Sequence, residues 1–384
     1  MAAEFLPGNR LTLLRSGVEY FPALEAAIVA ARRDVFLETY IYAGDATGRR
    51  IARALCEAAS RGAAVHLLVD GFGSSDLPAE LARELADAGV RLLVYRPEMW
   101  HFRRDRLRRM HRKLALVDDR VAFVGGINII DDVDASRHGP PRHDYAVKVE
   151  GPLVAAIRQE AERLWNRVAL ARMERRWRVG LSPAPNVARK GDQRAALVVR
   201  DNLRHRRDIE KAYLSAIESA KEEIIIACAY FFPGRRFRRA LVRAAARRVR
   251  VVLLLQGRVE YVLLHYASHA LYGALLEAGI EIYEYHRSLM HAKVAAIDAH
   301  WATVGSSNID PFSLMLAREA NVVVEDRRFA AELRARLRAD IEQGARVVAK
   351  TSWLALPLWR RIPNWIGYGL ARFAIGVFGF GGRF

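Results

Sequence analysis

The chain has 384 residues, 52% of them hydrophobic, so it can bury two substantial cores and is expected to form two domains. The 61 Lys and Arg residues against 43 Asp and Glu give a formal net charge of +18, which favours polyanionic partners such as anionic lipid surfaces or nucleic acid. Cys56 and Cys228 are the only cysteines, which excludes a disulfide framework and a cysteine metal cluster and indicates buried thiols in a reducing compartment.

The first hundred residues alternate helical segments with short apolar ones. The opening MAAEFLPGNRLTLLRSG contains neither a membrane span nor the apolar region of a signal peptide. Residues 23–42 predict a helix followed by a strand, and further short apolar runs follow at 65–71 and 88–96. This alternation is typical of layered α/β units.

A basic segment, HFRRDRLRRMHRK, follows at 101–113, with Trp100 and Phe102 at its beginning. Arginines interleaved with aromatic residues could steer lipid headgroups or follow a nucleic-acid backbone. A solvated basic loop is the plainer interpretation.

The first of two similar motifs reads HRKLALVDDRVAFVGGIN. Its polar and glycine positions are His111, Lys113, Asp118, Gly125 and Asn128. KLALV and VAFVG predict two strands joined by a tight turn at 118–120. Because side chains alternate along a strand, His111 and Lys113 face the same way. Asp118 falls at a strand end, where we expect it to hold the turn or pair with a cation rather than contact substrate.

Polar residues continue after the first motif. The loop DDVDASRHGPPRHD at 131–144 could shape the side of a site where a second substrate enters, although nothing in it is diagnostic. A polar stretch at 172–194, containing SPAPN, predicts a linker. The chain then repeats the first half: residues 212–231, 251–257 and 278–286 match 23–42, 65–71 and 88–96. The arginine-rich run at 235–250 is expected to be the polar face of a helix.

The second motif, HAKVAAIDAHWATVGSSN, consists of His291, Lys293, Asp298, Gly305 and Asn308. A single H-x-K-x4-D pattern is weak evidence for a catalytic site. Two copies that agree at five positions within similar apolar runs are specific evidence for one. Two histidines in one molecule are what two-step covalent catalysis on a phosphate requires. The repeat therefore predicts a phosphoryl-transfer site.

The chemistry assigns roles to the repeated residues. Two lysines and two amides can bind the non-bridging oxygens of a phosphodiester, namely Lys113, Lys293, Asn128 and Asn308. One histidine attacks phosphorus while the other protonates the leaving alcohol and deprotonates the incoming one, and the near-symmetric sequence does not decide the order. Each imidazole needs its second nitrogen held, for which Asp144 and Glu319, 33 and 28 residues beyond the motif histidines, are the candidates, surface carboxylates being the alternative.

The last residues, 353–384, combine Trp, Tyr and Phe with aliphatic residues and scattered arginines. Pro357 and Pro363 are expected to break the segment, and Arg372 interrupts its longest apolar stretch, which disfavours a simple transmembrane helix. Attachment at a membrane interface fits this composition, and folding over the protein's own core is the alternative.

The paired motifs, with VGGINI, HDYAVKVEGP and VGSSNIDPFSLMLAREANVVV, resemble the phospholipase D superfamily and, within it, bacterial cardiolipin synthases of the type B branch. The resemblance spans about residues 11–347. It implies an α/β fold of two α/β/α sandwich domains with pseudo-twofold symmetry, one active site at their interface and no metal or cofactor. It further implies that His111 is the nucleophile and His291 the acid/base. One departure is Gly126, where the second motif has Ser306, so that any hydroxyl contact is one-sided.

These inferences combine into one prediction. Domains are expected at 1–171 and 195–347, with a linker at 172–194 and a membrane-associating segment at 348–384. The predicted activity is cardiolipin synthesis from two phosphatidylglycerols on the cytoplasmic face of the bacterial inner membrane, with anionic phospholipids as partners and neither nucleic acid nor an obligate protein partner expected. A hydrolytic phospholipase D, a nuclease of the superfamily and a non-catalytic lipid-binding scaffold are the alternatives. The predicted catalytic residues are His111, Lys113, Asp118, His291, Lys293 and Asp298, the aspartates in a structural role.

Overall fold

The computed structural model describes residues 4–96, 109–132, 142–180, 187–201, 204–310 and 317–378. The basic approach to the first motif at 97–108, with Trp100 and Phe102, lies outside the described residues, as do most of the loop at 131–144 and the SPAPN part of the predicted linker.

The N-terminal half alternates strands and helices as the apolar periodicity predicts, and helix α2 begins where the Asp45 side chain accepts a hydrogen bond from the Gly48 N–H. Its elements are β1 (Leu6–Arg15), α1 (Ser16–Val29), β2 (Asp34–Thr39), α2 (Ala46–Ser60), β3 (Ala64–Asp70), α3 (Ala79–Asp87), β4 (Arg91–Tyr95), β5 (Arg109–Met110), β6 (Lys113–Val117), β7 (Val121–Gly125), β8 (Arg142–His143), β9 (Tyr145–Glu150), α4 (Leu153–Ala171) and a 3₁₀ turn (Arg175–Trp177).

The C-terminal half repeats this order. Its elements are β10 (Gln193–Arg200), α5 (Asp208–Ser219), β11 (Glu223–Cys228), α6 (Arg235–Ala246), β12 (Arg250–Gln256), α7 (Val262–Glu277), β13 (Glu281–Tyr285), β14 (Leu289–Met290), β15 (Lys293–Ile297), β16 (Trp301–Gly305), β17 (Ala317–Glu325), α8 (Arg327–Gly344), β18 (Ala345–Val347), α9 (Lys350–Leu354) and α10 (Leu358–Phe378). Residues 235–246 of the arginine-rich run form α6, with buried Phe237 and Leu241 on its inner face, as predicted, whereas Arg250 begins β12. Strand β10 begins inside the predicted linker.

The strands of both halves join into one sheet. Within the described residues its order is β18-β13-β12-β11-β15-β16-β17-β10-β1-β9-β7-β6-β2-β3-β4, with β5 attached to β17. The halves meet where β1 pairs antiparallel with β10, Leu6 lying opposite Ala195. In each half three strands run parallel, β2-β3-β4 and β11-β12-β13, and the motif hairpins β6-β7 and β15-β16 are antiparallel.

Three buried clusters hold the layers together. One lies between the sheet and α1–α3, and a second between the sheet and α5–α7. The third contains residues of both halves, including Trp165 of α4 and Phe329 of α8, and so fixes one half on the other. This arrangement confirms the predicted α/β class, with two similar layered halves about a pseudo-twofold axis.

The last helix, α10, packs along α7, where Ala371 is fully buried. The helix begins just after Pro357 as expected, but the predicted break at Pro363 is wrong. The helix runs through Pro363, near its beginning, where the proline removes a single backbone hydrogen bond. No helix of the described residues is long and apolar enough to span a bilayer.

Candidate active site

The two motif histidines lie where the halves exchange short strands. Strand β5 pairs with β17 of the other half, and β14 pairs with β8. The exchange continues through the histidine backbones: the His111 N–H donates to the Arg318 carbonyl at 3.0 Å, and the His291 N–H donates to the His143 carbonyl at 2.7 Å. Each histidine is thereby placed beside the residue that follows the paired segment of the opposite half, Glu319 after Arg318 and Asp144 after His143.

This exchange pairs each imidazole with a carboxylate from the other half. His111 Nδ1 lies 3.1 Å from Glu319 Oε1, and His291 Nδ1 lies 2.7 Å from Asp144 Oδ2. Sequence reasoning selected both carboxylates as counterparts within the repeat, but it did not reveal that the pairs cross. With Nδ1 held in this way, Nε2 of each ring is the nitrogen left for chemistry.

The motif lysines are buried and lie against the same histidines. Lys113 Nζ donates to the His111 carbonyl at 2.7 Å, and Lys293 Nζ donates to the His291 carbonyl. Lys293 Nζ also lies 4.0 Å from Asp144 Oδ2. Burial lowers the pKa of Lys113 to about 7, with the charge of Lys293 acting in the same direction. A bound phosphodiester would reverse this effect, because its negative charge favours both ammonium groups.

Charges of both halves act on each of the two histidines. Burial lowers the pKa of His111, and the charges of both lysines act in the same direction, whereas Glu319 raises it. The pKa of His291 is lowered well below its usual value, first by burial and then by Lys293, Arg142, Lys113 and His111. Each ring therefore senses charges from both halves, and in the free protein both are held towards the neutral form that a nucleophile or base requires.

The two asparagines follow the return strands β7 and β16 and are buried. Asn128 Oδ1 accepts from the Ile41 N–H at 3.0 Å, which leaves its NH₂ group as the donor end. A small pocket is lined by Asn128, Asp132, Arg142, Asp144 and His291, so one predicted phosphate-binding amide borders the crossed pair of His291. In the second half the Asn308 side chain lies 4.0 Å from the Cys228 sulfur.

The glycines explain how the motifs fit against the carboxylates. A Cβ on Gly126 would lie 2.4 Å from the Asp144 carboxylate oxygens, so this position has no room for a side chain. Ser306, its counterpart, instead donates its hydroxyl to Glu319 and accepts from the Ala320 N–H at 3.1 Å. The hydroxyl contact is therefore one-sided, as the sequence difference indicates.

The motif aspartates lie at the far ends of β6 and β15 from the lysines, and each accepts three backbone N–H donors. Asp118 binds the amides of Arg32, Arg33 and Asp34 at 2.8, 2.8 and 3.0 Å. Asp298 binds those of Lys221, Glu222 and Glu223 at 3.0, 2.9 and 3.0 Å. These contacts tie each hairpin turn to the preceding helix–strand junction and fit the structural role that their position suggests.

We expect Asp118→Asn to lower the free energy of unfolding by about 1–3 kcal/mol, because an amide oxygen replaces a charged acceptor of three hydrogen bonds. Burial raises the pKa of Asp118, but the backbone donors outweigh burial and hold the pKa below its ordinary value. The ionised carboxylate thus stabilises the fold above the unfolded pKa, and this stabilisation is lost as pH falls through the folded pKa. Urea unfolding at pH 7 and in acid measures both effects. Asp87→Asn, at an exposed position of α3, is the control, and an equal loss there would contradict the assignment.

Several neighbours of the site were missed from the sequence. The Tyr40 ring lies 4.9 Å from the His111 ring and 5.2 Å from Lys113 Nζ. Arg112, between the motif His and Lys, points away from them and forms a buried ion pair with Glu38. For these neighbours the sequence offered one signal, the position of Arg142 two residues before Asp144. Among the described residues no group of three or more His, Cys, Asp or Glu side chains is arranged to hold a metal ion.

Comparisons with known proteins agree with this geometry. A family model described as cardiolipin synthase, PLD-like domain, matches residues 24–165 and 213–341, one segment in each half. Cardiolipin synthase B of Escherichia coli is 41% identical over 384 residues, covering 96% of this chain and 92% of that protein. Cardiolipin synthase A of Pseudomonas fluorescens is 30% identical over 349 residues, covering 90% of this chain and 71% of that protein.

A solved structure supports the fold independently. The crystal structure of phosphatidylserine synthase from Haemophilus influenzae matches with a TM-score of 0.72 over 98% of this chain and 96% of that one. Because the identity is 13%, this match shows the shared architecture only.

Proposed function

Since the chain belongs to the cardiolipin synthase family with a phospholipase D-like domain, we propose that it transfers a phosphatidyl group from one phosphatidylglycerol to another and releases glycerol. The observation that supports this proposal most directly is the crossed arrangement of two imidazoles, each held through Nδ1 by a carboxylate of the opposite half, beside two buried lysines.

The first step forms a covalent intermediate. His111 Nε2 attacks the phosphorus of the donor lipid, the P–N bond forms, and the bond between phosphorus and the glycerol headgroup oxygen breaks. His291 gives its proton to that oxygen, so glycerol leaves as a neutral alcohol. Lys113 and Lys293 bind the non-bridging oxygens, where charge is held in the transition state.

The second step reverses the proton transfer. His291, now neutral, takes the proton of a hydroxyl on the second phosphatidylglycerol, whose oxygen forms a new P–O bond as the P–N bond breaks. Cardiolipin leaves and His111 is regenerated. The order of the histidines follows the family resemblance. The negative phosphodiester supports protonation of the acid, because it opposes the lysine charges that lower the pKa of His291.

Phospholipid substrates require access to a membrane, and the exposed surface of α7 and α10 fits this need. Large apolar side chains on this surface are more than half exposed: Trp365 (59%), Ile366 (57%), Leu370 (55%) and Phe373 (72%) of α10, and Val262 (60%) of α7. Aromatic residues on such a face prefer the headgroup level, and a strongly basic chain is attracted to anionic lipid. We therefore propose that this α7–α10 face attaches the protein peripherally to the cytoplasmic face of the bacterial inner membrane.

The double variant Trp365→Ala/Phe373→Ala should weaken binding to phosphatidylglycerol vesicles by at least about tenfold, since burying each ring in the interface contributes about 1.5–3 kcal/mol. Vesicle co-sedimentation at moderate salt measures the change. Val18→Ala/Val29→Ala removes exposed apolar side chains from α1 in the N-terminal half. An equal loss of binding in this control pair would contradict the proposed attachment.

The reaction itself is tested by product analysis. Purified protein and phosphatidylglycerol vesicles, without added metal, should yield cardiolipin and glycerol, identified by mass spectrometry. Phosphatidic acid as the sole product would overturn the transferase in favour of a hydrolytic phospholipase D. DNA cleavage with inert lipids would indicate a nuclease, and no reaction with either would indicate a scaffold.

A further inference from the structure

A cavity in the C-terminal half lies between the carboxyl ends of β11 and β12 and the helix α7. It is open rather than enclosed, its space of about 350 Å³ includes solvent at the mouth, and its lining includes Ala229, Tyr230, Gln256, Glu260, Tyr261 and Ser268. The cavity is next to the second motif, because the Ala229 N–H donates to the carbonyl of Ala292, between His291 and Lys293, at 2.9 Å.

The corresponding place in the N-terminal half carries different side chains. Tyr40 occupies the position equivalent to Ala229, and its ring lies 4.9 Å from that of His111. Asp70 occupies the position equivalent to Gln256, is fully buried, and accepts hydrogen bonds from the N–H groups of Met110 and Phe72 at 2.8 and 3.0 Å. The repeats therefore differ here in two ways: the C-terminal half has the smaller Ala229 in place of a tyrosine, and an amide, Gln256, in place of a carboxylate.

The cavity contains polar groups that the fold does not fully use. Gln256 is 7% exposed, and its Nε2 has no hydrogen-bond partner within the described part of the chain. A buried, unpaired amide is costly, which indicates a ligand for that donor. The Glu260 carboxylate accepts from the Tyr230 hydroxyl and lies 3.5 Å from Arg142, which also lines the pocket of His291 and Asp144. Donors and acceptors thus continue from the cavity to the proposed acid/base.

We propose that this cavity, the polyol pocket, binds the glycerol headgroup of phosphatidylglycerol. The proposal rests on the transferase function above. In that reaction the leaving alcohol is free glycerol and the entering alcohol is a lipid-borne glycerol, and both exchange a proton with His291. One pocket beside His291 can therefore hold the leaving group in the first step and the acceptor in the second. An amide donor, a carboxylate and hydroxyls at its wall match the several hydroxyls of a polyol.

The pocket shares helix α7 with the proposed membrane-binding face. Helix α7 contributes Leu264, His265 and Ser268 to the lining. The same helix carries the exposed Val262 and packs against α10, which presents the rest of the α7–α10 face. A headgroup at the lipid surface would therefore enter the cavity along α7 while its acyl chains stay in the membrane.

The test measures choice among acceptors. Wild-type protein, Gln256→Leu, Ala229→Tyr and the control Ala79→Tyr, at an exposed position of α3, receive phosphatidylglycerol vesicles with isotopically labelled glycerol and propan-1-ol in equal amounts. Wild type and control should prefer glycerol, forming labelled phosphatidylglycerol over phosphatidylpropanol. Gln256→Leu should reduce that preference about tenfold, the effect of losing one well-placed hydrogen bond. Ala229→Tyr should lower cardiolipin and raise the share of phosphatidic acid, because water reaches the intermediate when the pocket is filled.

Each readout is a ratio of products from the same active molecules, so a partly unfolded variant still reports it. Unchanged ratios in both pocket variants, with wild type making cardiolipin, would overturn the polyol pocket and leave the proposed function intact. A wild type that makes neither cardiolipin nor labelled phosphatidylglycerol would overturn the proposed function, and the pocket with it.

Discussion

Replacing His111 or His291 by alanine should lower cardiolipin formation by at least about 10³-fold, because one variant lacks the nucleophile and the other lacks the acid/base. The two losses should differ in kind. His291→Ala keeps the attacking imidazole and, with a phosphatidyl donor whose leaving group needs no proton, should still accumulate phosphohistidine. His111→Ala should not. Trapping with labelled donor after an acid-free quench distinguishes the two variants.

The control is His300→Ala, which removes an exposed imidazole from the β15–β16 turn. Label trapped by His111→Ala and absent from His291→Ala would reverse the order of the two residues while leaving the two-histidine reaction intact. Full activity in either alanine variant would contradict covalent catalysis at this site altogether.

Asp144→Asn and Glu319→Gln should each lower kcat by about 10²–10⁴-fold with a smaller effect on KM, because an amide does not stabilise the charged imidazole and no longer fixes which ring nitrogen carries the proton. The crossed pairs add a specific expectation. Asp144→Asn should alter the titration of His291, 2.7 Å away in the other half, and Glu319→Gln that of His111. Nitrogen NMR of selectively labelled histidines measures each ring.

The sign of that change follows from charge. Removing a carboxylate removes an interaction that favours the imidazolium, so the pKa of the affected histidine should fall further below its ordinary value. Asp87→Asn, exposed on α3, should leave both titrations unchanged. If Asp144→Asn altered only His111, the structure's pairing of the halves would be wrong.

The sequence predicted those parts of the site that occur in both copies of the repeat. The histidine, lysine and asparagine positions, the hairpins of β6-β7 and β15-β16 and the layered halves all follow from spacing and apolar periodicity, because these are local properties of the chain. The sequence also allowed a structural role to be predicted for the two turn aspartates, since a carboxylate at a strand end commonly accepts backbone N–H groups.

Other features depend on contacts between distant segments and were not predictable. Strands β5 and β14 have two residues each, too short for any periodic pattern, yet their exchange decides which carboxylate holds which imidazole. The cavity next to the second motif is lined by residues that differ between the repeats, Ala229 in place of Tyr40 and Gln256 in place of Asp70. A comparison that looks for matching residues in the two repeats does not find it. Pro363 inside α10 shows packing along α7 outweighing a local helix breaker.

The crossing of the carboxylates also constrains how such a chain could be divided. A polypeptide with a single copy of the motif would present an imidazole whose acidic partner belongs to another molecule. Two such polypeptides would have to associate about a twofold axis before either ring was oriented, and activity would depend on their concentration. Joining both copies in one chain, through the continuous β1–β10 pairing, makes assembly of the reactive centre part of folding and independent of dilution.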